Sequence, residues 1–179
     1  RPLDREFRSV FVANSKSEIV ELYDLKGKTL TFGSESSTSG YLMPTHYLLE
    51  AGIDPGQDLK STGFSGSHDA TWKLVESGAF DAGALNAAVW ERRLLEGKVN
   101  KSRVSVFWTS PPYVDYHWVI RGDVDSRFGE GVTDRIADAL MKLDASNGGR
   151  DTEIMQAFQD EKFIPATEHD YVTIENVAR

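Results

Sequence analysis

From Ser9 to Ser110 the chain alternates short β-prone runs with runs of helical period, joined by connections of a few residues. Such alternation restricts the fold to the α/β class, with a mostly parallel sheet covered by helices on both faces. The extended runs are "SVFVAN" (9–14), "TLTF" (29–32), "STGFSG" (61–66), "FDAGALN" (80–86) and "RVSVFWTS" (103–110). Their β-branched and aromatic content suits a buried pleated surface. Between them, "SKSEIVELYDLKGK" (15–28) predicts a short capped helix and the apolar spacing from Tyr41 to Ala51 a second. "SHDATWKLVESG" (67–78) predicts a third, with Ser67 as N-cap, and "AAVWERRLLEG" (87–97) a fourth. Pro44 must kink or restart the second helix, because it offers no N–H to the carbonyl four residues back.

After Ser110 the rhythm changes. "PPYVDYH" (111–117) is followed by a strand-like "WVIRG" (118–122), and the remainder to Arg179 reads as three helices with loops. The two extended segments at 9–14 and 104–109 flank the α/β part like the two crossings of a hinge. A length of 179 residues suffices for one full core, or for one lobe of a two-lobed protein with pieces of the other.

Composition removes several function classes. With 20 basic and 28 acidic residues the net charge is −8, whereas a nucleic-acid surface needs a cationic stripe. No apolar run approaches the roughly 18 residues that cross a bilayer. The absence of cysteine excludes disulfides, thiolate metal sites and thiol nucleophiles. His46, His68, His117 and His169 are scattered without metal-ligand spacing, so no metal is expected. Ser39, His68 and Asp115 supply the residue types of a hydrolase triad, but no Gly-x-Ser-x-Gly elbow presents the serine, and no catalytic residue is assigned.

Three stretches carry chemistry. In "FGSESSTSGYLMP" (32–44), Ser36, Ser37, Thr38 and Ser39 precede Gly40 at a strand-to-helix junction. Hydroxyls, backbone N–H groups and the positive end of a helix make a neutral anion cradle there. The same residues serve equally as a helix cap with solvated neighbours. In "GSHDA" (66–70), His68 occupies the first turn of a helix, where imidazole basicity falls unless an anion is near. A plain surface histidine is the competing reading. In "TSPPYVDYHWVIRGD" (109–123), two prolines stiffen a loop bearing Tyr113, Asp115, Tyr116, His117 and Trp118. It is either a binding loop or a proline turn over packed aromatics.

Taken together, "LKGKTLTFGSESSTSGYLMP", "GSHDATWKLVESGAFDAGAL" and "SPPYVDYHWVIRGDV" resemble the substrate-binding proteins of ABC transporters in the phosphate/phosphite/phosphonate group, over at least residues 9 to 143. The resemblance implies a periplasmic protein with the two-lobe, type II-like fold of periplasmic binding proteins, closing on a small oxyanion. One complete α/β lobe and part of the other are expected here. Residues 1–15 would be a hinge strand and a remnant of the first lobe, 16–102 the second lobe, and 103–179 the return hinge strand with the C-terminal helical part of the first lobe. The family's usual chain carries a further first-lobe segment ahead of the position of Arg1, so half a ligand site is expected.

Carried over residue by residue, the resemblance implies that Ser37, Thr38, Ser39 and His68 clamp the ligand's oxygens, with Asp115 as an acidic partner. Ser36, Ser67, Tyr113 and Tyr116 are secondary candidates. A solute-binding protein needs no cofactor and delivers its ligand to a membrane permease. A carboxylate beside a bound anion is repulsive unless a proton lies between them, which favours phosphorus oxyanions, whose second pKa is about 6, over fully ionised sulfate or selenate. The first stretch also resembles a subgroup labelled as selenate binders, and "PPYVDYHW" the phosphite-binding subgroup. The effector domain of a transcriptional regulator, which shares this kind of two-lobe fold, is the rival from another class.

Overall fold

A computed structural model describes residues 7–114, 117–158 and 160–178. By contacts the chain divides into two units, one of Arg5–Tyr113 with Val172–Arg179, the other of Arg1–Asp4 with Val114–Tyr171.

The first unit is built on a five-stranded sheet of β1 (Ser9–Asn14), β2 (Thr29–Phe32), β3 (Ser61–Phe64), β4 (Ala82–Asn86) and β5 (Val104–Thr109), in the order β3-β2-β4-β1-β5. β2 pairs parallel with β3 and β4, whereas β1 pairs antiparallel with both β4 and β5. Four strands therefore run one way and β1 alone is reversed. The expectation of a mostly parallel sheet holds from β2 onward, where α1 (Met43–Glu50), α2 (His68–Ser77) and α3 (Ala87–Leu95) form the crossovers. It fails at β1, which reaches β2 without a crossover helix.

The helix expected over residues 15–28 is replaced by one short 3-10 turn at Leu22–Leu25. Glu18 sits at φ 60°, outside the helical region, and the Asp24 carboxylate takes the N–H groups of Val20 and Glu21. Ile19 and Leu25 are nevertheless buried, so the segment still supplies apolar side chains to the core.

Both sheet faces are covered. Along β1, Phe11 and Ala13 join Leu30, Phe32 and Leu48 on one side, while Val10 and Val12 meet Trp72, Val75 and Trp90 on the other. Each such fully buried large side chain contributes about 1.5–3 kcal/mol. Gly83 in β4 lets α2 approach closely: a Cβ there would lie 2.7 Å from Thr71 Cγ2 and 2.9 Å from Val75 Cγ2. α7 (Val172–Ala178) lies against α1.

The second unit contains α4 (Val124–Phe128), α5 (Val132–Met141) and α6 (Gly149–Phe158), with an isolated bridge between Asp144 and Lys162. With α7, four α-helices follow β5 among the described residues, where three helices were expected. "WVIRG" forms no strand: Val119 is exposed, and Trp118 instead packs edge-on against Phe158 and Phe163. Among the described residues of this unit Met155 alone is a buried hydrophobic, while Trp118, Val119 and Phe128 are largely exposed.

Candidate functional site

β2, β3 and β4 end at one edge of the sheet, and each leads into a helix start. β2 connects outward to β3, and β3 connects back across β2 to β4. The chain thus switches direction between β2 and β4, the position where open α/β sheets form a crevice at the strands' carboxyl ends. The reversal of β1 adds its first residue to the same edge, because Ser9 lies opposite Asn86, the last residue of β4.

The loop after β2 carries the hydroxyl run. Ser37 begins a single π-helical turn over Thr38–Leu42, and α1 restarts behind it with Pro44 in its first turn. Pro44 cannot bond the Gly40 carbonyl, and that carbonyl accepts instead from Gly33 N–H at 2.8 Å, closing the loop on itself. The two glycines meet backbone to backbone. A Cβ on Gly40 would lie 3.1 Å from Gly33 Cα and 3.1 Å from His68 Cε1, so a larger residue would have to push the loop or the ring aside.

His68 is therefore packed against the hydroxyl loop from the start of α2. Ser67 caps that helix by accepting from Ala70 N–H at 3.2 Å, as expected of it. The Asn86 N–H donates to His68 Nδ1 at 3.4 Å, so the neutral ring carries its proton on Nε2. Burial pushes the imidazole below its ordinary value of 6.5, with the Asp69 charge acting in the opposite sense. Asp69 itself is turned to α3, where Arg93 grips it through Nε at 2.7 Å and Nη2 at 2.6 Å. That pairing, helped by Trp72 Nε1, holds the Asp69 carboxyl far below the usual carboxylate range.

The hydroxyls differ in what they have left to offer. Ser37 Oγ accepts from Gly40 N–H at 2.9 Å, and its proton is committed to no acceptor among the described residues. Thr38 Oγ1 likewise takes part in no hydrogen bond within the described residues. Ser39 is 0% exposed and its Oγ is buried without a partner among the described residues. A buried unpaired hydroxyl costs about 1–3 kcal/mol, so three adjacent uncommitted hydroxyls on the loop against which the His68 ring packs form an arrangement that an acceptor-rich anion would complete.

The remaining candidates separate. Ser36 is exposed at the outer bend of the loop, and the Ser67 hydroxyl is used as a cap. Tyr113 is buried, bridged to Phe7 by backbone pairing and bonded through its hydroxyl to Ser9. Asp115 and Tyr116 lie outside the described residues. Sequence reasoning missed Gly33, Ser9 and Asn86. An Asn between a β-prone run and an amphipathic helix is a recognisable N-cap, and Asn86 indeed accepts from Val89 N–H. Nothing local marks Ser9, whose role depends on the reversal of β1.

A family model described as the periplasmic phosphonate substrate-binding protein of ABC transporters matches residues 2–171. A probable ABC transporter phosphite-binding protein of Prochlorococcus marinus, PhnD1, is 46% identical over the whole of this chain, which spans 62% of that relative's length. The phosphonates-binding periplasmic protein of Escherichia coli is 31% identical over 58% of this chain and 31% of its own length. Among solved structures, PhnD1 in complex with methylphosphonate superposes with a TM-score of 0.86 at 45% identity, covering all of this chain and 68% of the other. The binding-protein component of an ABC phosphonate transporter from Pseudomonas aeruginosa shares the fold at 23% identity, with a TM-score of 0.76 over 97% of this chain and 57% of the other. The fold is accordingly that of periplasmic binding proteins, spanning one lobe and part of a second, and the family is one of transport components rather than enzymes. The chain belongs to the periplasmic substrate-binding proteins of ABC phosphonate transporters.

Proposed function

We propose that this chain belongs to a solute-binding protein that captures a small phosphorus oxyanion, namely phosphite, a short phosphonate or phosphate, in the periplasm and delivers it to an ABC transporter permease. The observation that carries the reading is the set of uncommitted donors on Ser37, Thr38 and Ser39, with the Ser39 hydroxyl buried and unpartnered, next to His68. The donors are neutral, so they hold an anion without a guanidinium or ammonium group and despite a net charge of −8. Neutral His68 gives one hydrogen bond from Nε2, and an arriving anion favours its protonation and adds a charge. Asp115 would complete the clamp by requiring an acidic O–H on the ligand, which selects phosphorus oxyanions over sulfate and selenate. That the PhnD1 relative was solved with methylphosphonate supports the choice of ligand class.

The boundaries at residues 15 and 102 are read as hinge crossings, with 16–102 as the lobe bearing the hydroxyl loop. The exposed Trp118, Val119 and Phe128 of the second unit support its assignment to a lobe completed by further chain. Closure of the lobes would bury the ligand and form the surface read by the permease.

Calorimetric titration of the full-length protein with phosphite, methylphosphonate, phosphate, sulfate and selenate tests the reading. Heat from one or more phosphorus anions, with sulfate and selenate bound at least tenfold more weakly, is expected. Tight sulfate or selenate binding without any phosphorus anion contradicts it.

A further inference from the structure

A run of hydrogen bonds reaches the hydroxyl loop from behind. Ser9 Oγ donates to the Ser39 carbonyl at 2.8 Å. It also lies 2.7 Å from Tyr113 Oη, and because Ser9 has a single hydroxyl proton, already given to Ser39, the tyrosine is the donor of that bond. In a trans peptide the carbonyl and the following N–H point to opposite sides. With the Ser39 carbonyl held toward Ser9, Gly40 N–H faces the other way and donates to Ser37 Oγ at 2.9 Å. The sequence of donors thus runs from Tyr113 through Ser9 and the Ser39–Gly40 peptide to Ser37.

The relay is built as a buried device. Ser9 and Ser39 are 0% exposed and Tyr113 is 5% exposed. Ser9 N–H donates to Ser110 Oγ at 2.9 Å, Ser110 N–H donates to the Ser9 carbonyl at 2.9 Å, and Phe7 and Tyr113 exchange backbone bonds at 3.0 and 2.9 Å. The two extended segments therefore hold Ser9 and Tyr113 through bonds that do not involve the loop. Only the reversal of β1 brings its first residue to the edge where β2 and β4 end.

We propose that Tyr113 and Ser9 are positioning residues for the hydroxyl loop, setting the Ser39–Gly40 peptide so that Ser37 Oγ is occupied as an acceptor and its proton is turned to the ligand. The proposal rests on the reading of this loop as the oxyanion site. Neither residue touches the ligand in it. Tyr113 acts through orientation, and cooperative polarisation along the chain strengthens the terminal donor.

The test measures phosphite and methylphosphonate affinity of the full-length protein with Tyr113→Phe, Ser37→Ala and both together. Tyr113→Phe removes one oxygen atom and is expected to weaken binding about 3- to 10-fold, the range of one neutral hydrogen bond. In the Ser37→Ala background the same change is expected to cost less than about twofold, because the residue it acts through is gone. An unchanged affinity for Tyr113→Phe, or an equal loss in both backgrounds, overturns the proposal, the latter because a general structural defect is blind to Ser37. If wild-type protein binds none of the anions, the reading of the site fails and the relay with it. Wild-type binding with indifferent variants sinks the relay alone. Should Tyr113→Phe not fold, amide exchange in the wild-type protein decides: Gly40 N–H is expected to exchange at least tenfold more slowly than the amides of Glu35 and Ser36, and comparable rates overturn the proposal.

Discussion

At Ser39 a hydroxyl is closed off from solvent with no acceptor among the described residues, and on the same edge His68 keeps one ring nitrogen for the strand behind it. In the proposed site these two residues would set the chemistry, and they respond differently to conditions. Ser39 has no charge to titrate. His68 has a folded-state value lowered below 6.5 by burial, so the stability it contributes as a neutral ring is complete above 6.5 and is lost as pH falls through the lower folded value. An oxyanion at Nε2 reverses the preference by stabilising the imidazolium. Proton NMR of the His68 ring in the full-length protein is expected to give a midpoint below 6.5 without ligand and a higher one with saturating phosphite. A midpoint indifferent to phosphite would remove His68 from contact with the anion.

At the scale of elements, the site is a junction of three strand-to-helix turns, and its accuracy depends on how closely the helices sit on the sheet. The tightest approach is α2 over β4. Gly83→Ala would place a methyl group 2.7 Å from Thr71 Cγ2 and 2.9 Å from Val75 Cγ2, both on fully buried residues. Urea denaturation is expected to show a loss of about 1–3 kcal/mol, the usual cost of overpacking. A variant as stable as wild type would mean that α2 stands farther from the sheet. Much of this level was legible beforehand. The β2-to-β5 alternation, the Ser67 cap and the restart at Pro44 each follow from local chemistry, and each was read from a few adjacent residues. The two failures have different causes, a local competitor for backbone donors in one and the lack of a pairing strand in the other. Residues 15–28 have helical spacing, yet Asp24 competes for their backbone N–H groups and the core accepts Ile19 and Leu25 without a helix. "WVIRG" has strand propensity, but among the described residues no strand pairs with it, and the Phe7–Tyr113 bridge lies ahead of it in the chain. Propensity without a hydrogen-bonding neighbour does not make a strand.

For the whole molecule, the direction of β1 is the topological fact with the widest consequence. It places Ser9 opposite Asn86 and lets the two extended segments meet behind the hydroxyl loop, an arrangement that no short motif encodes. The candidate residues Ser37, Thr38, Ser39 and His68 could be picked out one motif at a time, whereas their common support by Gly33, Ser9 and Asn86 appears only once the strands are ordered. The second unit, with Met155 as its one buried hydrophobic among the described residues, has the composition of a part rather than a self-sufficient core. The central claim, that neutral hydroxyls and one histidine at the β2–β4 switch point hold a phosphorus oxyanion, is tested most directly by a crystal structure of the full-length protein with phosphite. Ligand oxygens within about 3 Å of Ser37 Oγ, Thr38 Oγ1, Ser39 Oγ and His68 Nε2 are predicted. Phosphite bound away from this loop, or a bound state in which the Ser39 hydroxyl still has no partner, would contradict the account.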